Sequence, residues 1–126
     1  MDARQQDILS RLPGYGSELT VKKRDVSMID LAAMTAATGD EFAMFTKGGE
    51  RLICRGGVIN GVNIVPINAR RAAELKAQGY RWSGHTHPET SVIISDGDRV
   101  VLKAFGQAQS VVYNPFGRFT KFGGDW

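Results

Sequence analysis

Cysteine is almost absent from the sequence, which has one, Cys54, among its 126 residues. No disulfide can form within the chain, so we expect a fold that does not depend on an oxidising compartment. Cys54 lies in the apolar run 52–54, and this position favours a buried, inert thiol over a reactive nucleophile.

Long apolar runs are absent as well. A membrane-spanning helix needs about 20 consecutive apolar residues, and no stretch of the sequence approaches that length. Residues 1–7 are polar, whereas a secretory signal has an apolar centre. We therefore expect a soluble domain with no membrane partner.

Neither sign of charge dominates the sequence, since the formal net charge is only +3. The basic residues are scattered, apart from the run 22–24 (Lys-Lys-Arg) and the pair Arg70-Arg71. A nucleic-acid-binding domain usually concentrates its basic residues in a patch or stripe. The pattern therefore predicts solvated charges and no nucleic-acid partner, and it leaves an acidic protein surface open as a partner.

Apolar residues make up 42% of the sequence, which is enough for the core of one compact domain. We expect a single domain over residues 1–126, with 1–18 as an N-terminal extension. Helical spacing and N-cap residues (Ser27, Asn68, Ser95) predict helices over 1–12, 28–38, 69–78 and 96–105. Alternating apolar runs predict strands over 19–21, 41–46, 51–55, 62–67, 80–84, 110–113 and 116–122. The predicted fold class is α+β, with a central mixed, mainly antiparallel sheet flanked by helices.

The only two histidines, His85 and His87, stand two residues apart at the end of a predicted strand. Residues i and i+2 of a strand point to the same face, so the two imidazoles should lie close together. Such a pair is half of a zinc site. Pro88 ends the strand directly afterwards and leaves the pair at a sheet edge that faces a loop.

Asp98 comes eleven residues after His87, in the first turn of a predicted helix. On its own it would be explained by the helix dipole. With the histidine pair, its carboxylate can return to the strand end and complete a His-His-Asp set. Three protein ligands and one open position are typical of a catalytic zinc site.

A hydrolytic site also needs a group that moves protons and one that stabilises an oxyanion. Glu41, at the start of the first central strand, is the candidate general base, since Glu50 follows a turn and Glu74 lies within a helix. Ser95, at the N-terminus of the Asp98 helix, is the candidate oxyanion helper. A solvated Glu41 and a purely capping Ser95 are the alternatives.

The run 85–88 (His-Thr-His-Pro), followed by Ser95 and Asp98 and preceded by Glu41, resembles the signature of the JAMM (JAB/MPN) zinc metalloprotease family. The resemblance extends over the element order of residues 19–122. It implies a layered, JAB/MPN-like (cytidine-deaminase-like) fold. It also implies a zinc ion (Zn²⁺) held by the two histidines and Asp98, with Glu41 as acid/base and Ser95 as oxyanion helper.

Runs 82–88, 95–99 and 107–113 are most similar to small bacterial JAB-type domains of polymorphic toxins. This resemblance implies a zinc-dependent hydrolase of peptide or isopeptide bonds that acts as a toxin or effector domain. It further implies a protein substrate, with ubiquitin-like and conjugated proteins as candidates, and a cognate immunity protein. The expected location is then the cytoplasm, or outside the cell as part of a larger delivered toxin. The insertions that position ubiquitin in eukaryotic relatives are missing, so the substrate stays open.

Two other functions remain open at the level of the sequence. One is a catalytically inactive MPN-like scaffold or binding module, although inactive relatives typically lose one or more ligands. The other is a zinc hydrolase of non-peptide substrates, because the same site would polarise other carbonyl groups.

Overall fold

The computed structural model describes residues 1–64, 66–90 and 92–123. Its helices are α1 (Ala3–Ser10), α2 (Met28–Thr38), α3 (Ala69–Ala77) and α4 (Asp96–Phe105). Its strands are β1 (Glu18–Lys22), β2 (Phe42–Lys47), β3 (Glu50–Arg55), β4 (Gly57–Ile59), β5 (Val62–Ile64), β6 (Arg81–Thr86), β7 (Gln109–Tyr113) and β8 (Phe119–Gly123). None of the described helices is long and apolar enough to cross a membrane.

Six strands form one sheet in the order β1-β3-β2-β6-β7-β8, and β4 pairs with β5 in a separate hairpin. Within the large sheet, β6 and β7 are parallel, while the other neighbouring strands are antiparallel. The predicted α+β class with a mixed, mainly antiparallel sheet is therefore confirmed. The parallel pair arises because α4 connects β6 to β7, and such a crossover returns the chain in the same direction.

Helices cover both faces of the sheet, and β2 shows why. Phe42 and Met44 point to the core that α1 and α2 complete, whereas Ala43 and Phe45 point to the core beneath α3 and α4. Successive residues of a strand alternate between faces, so a strand buried on both sides is apolar throughout rather than at every second position. The predicted N-terminal extension contributes Ile8 to the first of these cores.

The helix ends follow local signals. Ser27 caps α2 and Asp30 accepts its backbone N–H, as the capping-box pattern predicts, and Gly39 ends the helix with a positive φ of 77°. Helix α1 is shorter than the predicted range 1–12. It begins after Asp2, whose carboxylate accepts the backbone N–H of Gln5, and this cap was not foreseen.

Two predicted strands differ most from the observed ones. The strand predicted over 62–67 covers only Val62–Ile64 among the described residues, since residue 65 lies outside them. It pairs with Gly57–Ile59, which was not predicted as a strand. The last strand begins at Phe119 rather than at residue 116. The reason is Asn114, whose side-chain oxygen accepts the backbone N–H groups of Phe116 and Arg118 and holds those residues in the turn.

Candidate functional site

His85 lies in strand β6 and His87 directly follows its last residue. An irregularity in the pairing of β6 with β2 shapes the surroundings of both. Ala43 lies opposite His85, but Phe45 lies opposite Trp82, so the register shifts between Met44 and Phe45. The extra residue on β6 brings Trp82 to the same face as His85, although they are three residues apart. The two rings stack with centroids 4.9 Å apart. An aromatic wall therefore supports one side of the His85 imidazole.

The two imidazoles lie on one face, as expected from their spacing. The Nε2 atoms of His85 and His87 are 3.1 Å apart, and the rings meet at 70°. The backbone N–H of His87 donates to the carbonyl of Tyr113 at 2.9 Å and so extends the parallel pairing of β6 and β7 beyond Thr86. The pair is held by the sheet rather than by a loop, and this fixes the separation of the rings.

Asp98 lies in the first turn of α4 and contacts both histidines. Its Oδ1 is 3.1 Å from His85 Nε2, and its Oδ2 is 3.2 Å from His87 Nε2. Burial alone would raise the pKa of Asp98, but the hydrogen bonds from the two imidazoles outweigh it and hold that pKa well below its usual range. The structure thus brings together the three residues that the sequence analysis grouped as ligands.

Ser95 is the N-cap of α4 and is exposed. Its hydroxyl oxygen accepts the backbone N–H of Asp98 at 3.1 Å, and Asp98 Oδ2 accepts the backbone N–H of Ser95 at 3.1 Å. This reciprocal capping box fixes the rotation of the first helical turn. Ser95 consequently orients Asp98 toward the histidines, in addition to any role toward a substrate.

Glu41, directly before β2, faces the histidine pair from the neighbouring strand. Its Oε1 is 3.9 Å from His87 Nε2, and among the described residues that buried oxygen has no hydrogen-bond partner. Burial raises the pKa of Glu41 to about 7; the charges of Asp98 and Glu89 add to the rise, and His87 opposes it. A carboxyl group with this pKa can both take up and release a proton at neutral pH.

The two histidines differ in their protonation. Burial lowers the pKa of His85, and this effect exceeds the opposing influence of Asp98. For His87, burial also lowers the pKa, but the hydrogen bond with Asp98 and the charges of Glu41, Asp98 and Glu89 together raise it. His85 is therefore the neutral imidazole at pH 7, the state in which a ring nitrogen offers a lone pair to a metal.

Glu41, His85 and His87 could hold a metal ion. Each offers one ligand atom, and these atoms all lie within 4.8 Å of one another. Two observations fit a cation at this position: the unpartnered, buried Oε1 of Glu41 and two imidazole nitrogens that face each other at 3.1 Å. Without a cation, the Glu41 oxygen has no partner among the described residues, and Asp98 is the acceptor that both imidazole nitrogens share.

Behind the site lies a small cavity of about 10 Å³, beside His85 and Asp98. The rest of its lining is apolar or aromatic and comprises Ala43, Pro66, Ile67, Trp82 and Val101. Apolar walls lower the local dielectric and strengthen every electrostatic interaction among the buried charges.

Three residues near the site were not singled out from the sequence. Glu89 contributes negative charge to Glu41 and His87. Asn114 donates from its side chain to the carbonyl of Thr90 at 2.7 Å and so ties the loop after β6 to the end of β7. Thr86 is fully buried between the histidines on the opposite face of β6. Only Thr86 carried a sequence signal, because alternation places a residue between two ligands in the opposite core.

No family model, no curated protein and no solved structure matches the chain. Its function is therefore inferred below from the geometry and chemistry of its own residues.

Proposed function

We propose that the chain is a zinc-dependent hydrolase of peptide or isopeptide bonds, with His85, His87 and Asp98 as its protein ligands. One observation carries the proposal. Two imidazole nitrogens at the end of β6 and a carboxylate of α4 converge within 3.2 Å of one another, in a buried pocket. Two nitrogen ligands and one carboxylate are a donor set that zinc accepts, and three ligands leave the fourth position open.

Asp98 and Glu41 compete for the place of third ligand. Asp98 contacts both imidazoles and has a depressed pKa, so it is ionised whenever the histidines are neutral. Glu41 lies farther from His87, at 3.9 Å, and has a pKa of about 7. A carboxylate ligand must be ionised at the working pH, whereas a general base needs a pKa near that pH. We therefore assign Asp98 to the metal and Glu41 to proton transfer.

The residues divide the reaction among them. Zinc, when bound, supplies a Lewis acid that polarises a carbonyl group and makes water more acidic. Glu41 takes a proton from the attacking water and returns it to the leaving nitrogen. The hydroxyl oxygen of Ser95 accepts the N–H of Asp98, so the hydroxyl proton is available to a substrate oxygen at the exposed end of α4. The stacked Trp82 keeps the His85 ring in place.

The family part of the proposal is a JAB/MPN-like fold and a toxin or effector role, with a protein substrate and an immunity protein as partners. The support is the placement of the His-Thr-His-Pro run across the end of β6 and of Ser95 and Asp98 at the start of α4, beside the glutamate that directly precedes the adjacent strand. The catalytically inactive scaffold is less favoured, since Glu41, Asp98 and both histidines are all present.

The test compares wild type with Glu41→Gln, and uses Glu74→Gln on the exposed surface of α3 as a matched control. Each protein is expressed in a bacterial cell, and cleaved proteins and conjugates are identified by mass spectrometry. We expect cleavage by wild type and Glu74→Gln, and a loss on the order of a hundredfold or more for Glu41→Gln. Purified wild type should contain one zinc per chain.

Other outcomes separate the alternatives. A protein that purifies without stoichiometric zinc would favour the scaffold. A zinc-loaded protein that cleaves no protein or conjugate would favour a non-peptide substrate. Undiminished cleavage by Glu41→Gln would mean that another residue is the base.

A further inference from the structure

The backbone ladder between β2 and β6 stops just short of the site. The pairing runs from Thr46 opposite Arg81 to Ala43 opposite His85. Phe42 and Glu41 lie beyond the last of these pairs, on the stretch that faces Thr86 and His87. The position of Glu41 relative to the histidines therefore depends on what joins the two chain segments after the ladder ends.

Thr86 makes that connection with its side chain. Its hydroxyl oxygen accepts the backbone N–H of Phe42 at 2.9 Å, in the place of a strand carbonyl. The same hydroxyl lies 2.6 Å from the hydroxyl of Thr35 on α2. Both threonines are buried, with 1% exposure or less, so neither contact competes with water. One side chain thus joins β6, β2 and α2 at the level of the site.

We propose that Thr86 is a positioning residue that holds Glu41 opposite the histidine pair. This inference rests on the proposed metal site. The Thr86–Phe42 hydrogen bond fixes the residue directly after Glu41, and Thr86 itself lies between the two histidines. Loss of its hydroxyl lets the end of β2 move away from β6. Glu41 then moves away from the histidine pair, and the two proposed ligands that flank Thr86 are held less firmly for zinc.

The chain contains a matched control for this residue. Thr46 and Ser83 form a second hydroxyl pair between the same two strands, at 2.5 Å and at the end of the ladder remote from Glu41. Replacing Thr46 by valine removes a similar cross-strand hydroxyl contact. A purely structural role of such hydroxyls predicts similar consequences for Thr86→Val and Thr46→Val.

The experiment measures the zinc affinity of the full chain by competition with a chromophoric chelator, and the absorption spectrum with cobalt in place of zinc. We expect Thr86→Val to bind zinc about 10 to 100 times more weakly than wild type, with an altered cobalt spectrum. Thr46→Val should match wild type in both measurements. Thr86→Ser, which keeps the hydroxyl, should restore most of the affinity.

Each outcome decides the inference. Equal zinc affinities for Thr86→Val, Thr46→Val and wild type would overturn the positioning role and leave the proposed metal site intact. Absence of zinc binding by wild type would overturn the metal site and the positioning role together. If Thr86→Val does not fold, Thr86→Ala replaces it, since it also removes the hydroxyl that accepts the backbone N–H of Phe42 and adds no bulk to the core. An unchanged affinity in that variant would also overturn the inference.

Discussion

The N-termini of α2 and α4 carry the same local motif with different partners. Each begins with a serine N-cap whose backbone N–H donates to an aspartate three residues later, Asp30 in α2 and Asp98 in α4. Both aspartates are 3% exposed. Asp30 accepts hydrogen bonds from Arg4 and Gln5 of α1, whereas Asp98 contacts His85 and His87 at the end of β6.

The two ends differ in whether the partners of the aspartate can become neutral and bind a metal. The Arg4 guanidinium is permanently charged and, with the amide of Gln5, it satisfies Asp30 completely, so this end joins α1 to α2 and is closed to ligands. The imidazoles around Asp98 can be neutral and offer lone pairs to a metal. Glu41 beside them has an unpartnered, buried oxygen. Two equally buried carboxylates therefore differ in role. Asp30 joins two helices, whereas Asp98 belongs to the proposed metal site.

The largest expected difference between the two ends is in zinc binding. Asp98→Ala removes one of three proposed ligands, so it should weaken zinc binding by more than the roughly 100-fold that loss of an outer-sphere partner costs. Asp30→Asn, and Asp96→Asn in the same turn of α4, should bind zinc as wild type does. The measurement is isothermal titration calorimetry. Full zinc affinity in Asp98→Ala would leave Glu41 as the third ligand.

The second expected difference between the two ends is the direction in which the stability of the zinc-free protein changes with pH. The pKa of Glu41 is raised from 4.5 to about 7, so the folded state holds its proton more tightly than the unfolded state. Stability is then highest below pH 4.5 and falls, by about 2–3 kcal/mol, as the pH rises through 7. Urea unfolding with a chelator at pH 5 and pH 8 measures this loss. Glu41→Gln should lack it; equal losses in both proteins would contradict the raised pKa.

The contribution of Asp30 to stability should change with pH in the opposite direction. Burial favours its neutral form, but hydrogen bonds from Arg4 and Gln5 and from the Ser27 backbone lower its pKa from 3.8 to about 2. Its contribution is present above pH 4 and is lost as the pH falls through 2. Because the Arg4 side chain is nearly half exposed, solvent screening reduces the contribution of Asp30 to the unfolding free energy to about 1–2 kcal/mol. Asp30→Asn should lose this amount at pH 7, and the exposed Asp7→Asn should not.

The smallest expected effect on stability comes from replacing the N-cap serines of α2 and α4. Ser27→Ala and Ser95→Ala should each cost about 1 kcal/mol of unfolding free energy, since each removes an N-cap hydroxyl. Only Ser95→Ala should also lower catalytic turnover, because only its hydroxyl lies beside the proposed site. Thermal unfolding and turnover of the zinc-loaded protein measure the two effects. Equal turnover in both variants would limit Ser95 to its capping role.

Much of this site could be predicted from the sequence because its parts are local. Alternation along a strand places His85 and His87 on one face, and a capping box places the Asp98 carboxylate in the first turn of α4. Glu41 could be nominated only as the start of a strand. Its distance from His87 depends on how β2 pairs with β6, more than 40 residues later, and no short pattern encodes that.

The sequence by itself determined the α+β class, most helix and strand positions, and the serine N-caps of α2 and α4. Those features depend on hydrogen bonds and alternation within a few residues. Only the tertiary structure decided that Asp30 meets an arginine and Asp98 meets two histidines. The same packing leaves Glu41 buried beside that pair with a pKa of about 7. The physical reason is that desolvation and charge pairing depend on which surfaces are packed together, and the sheet and helices assemble those surfaces from distant parts of the chain.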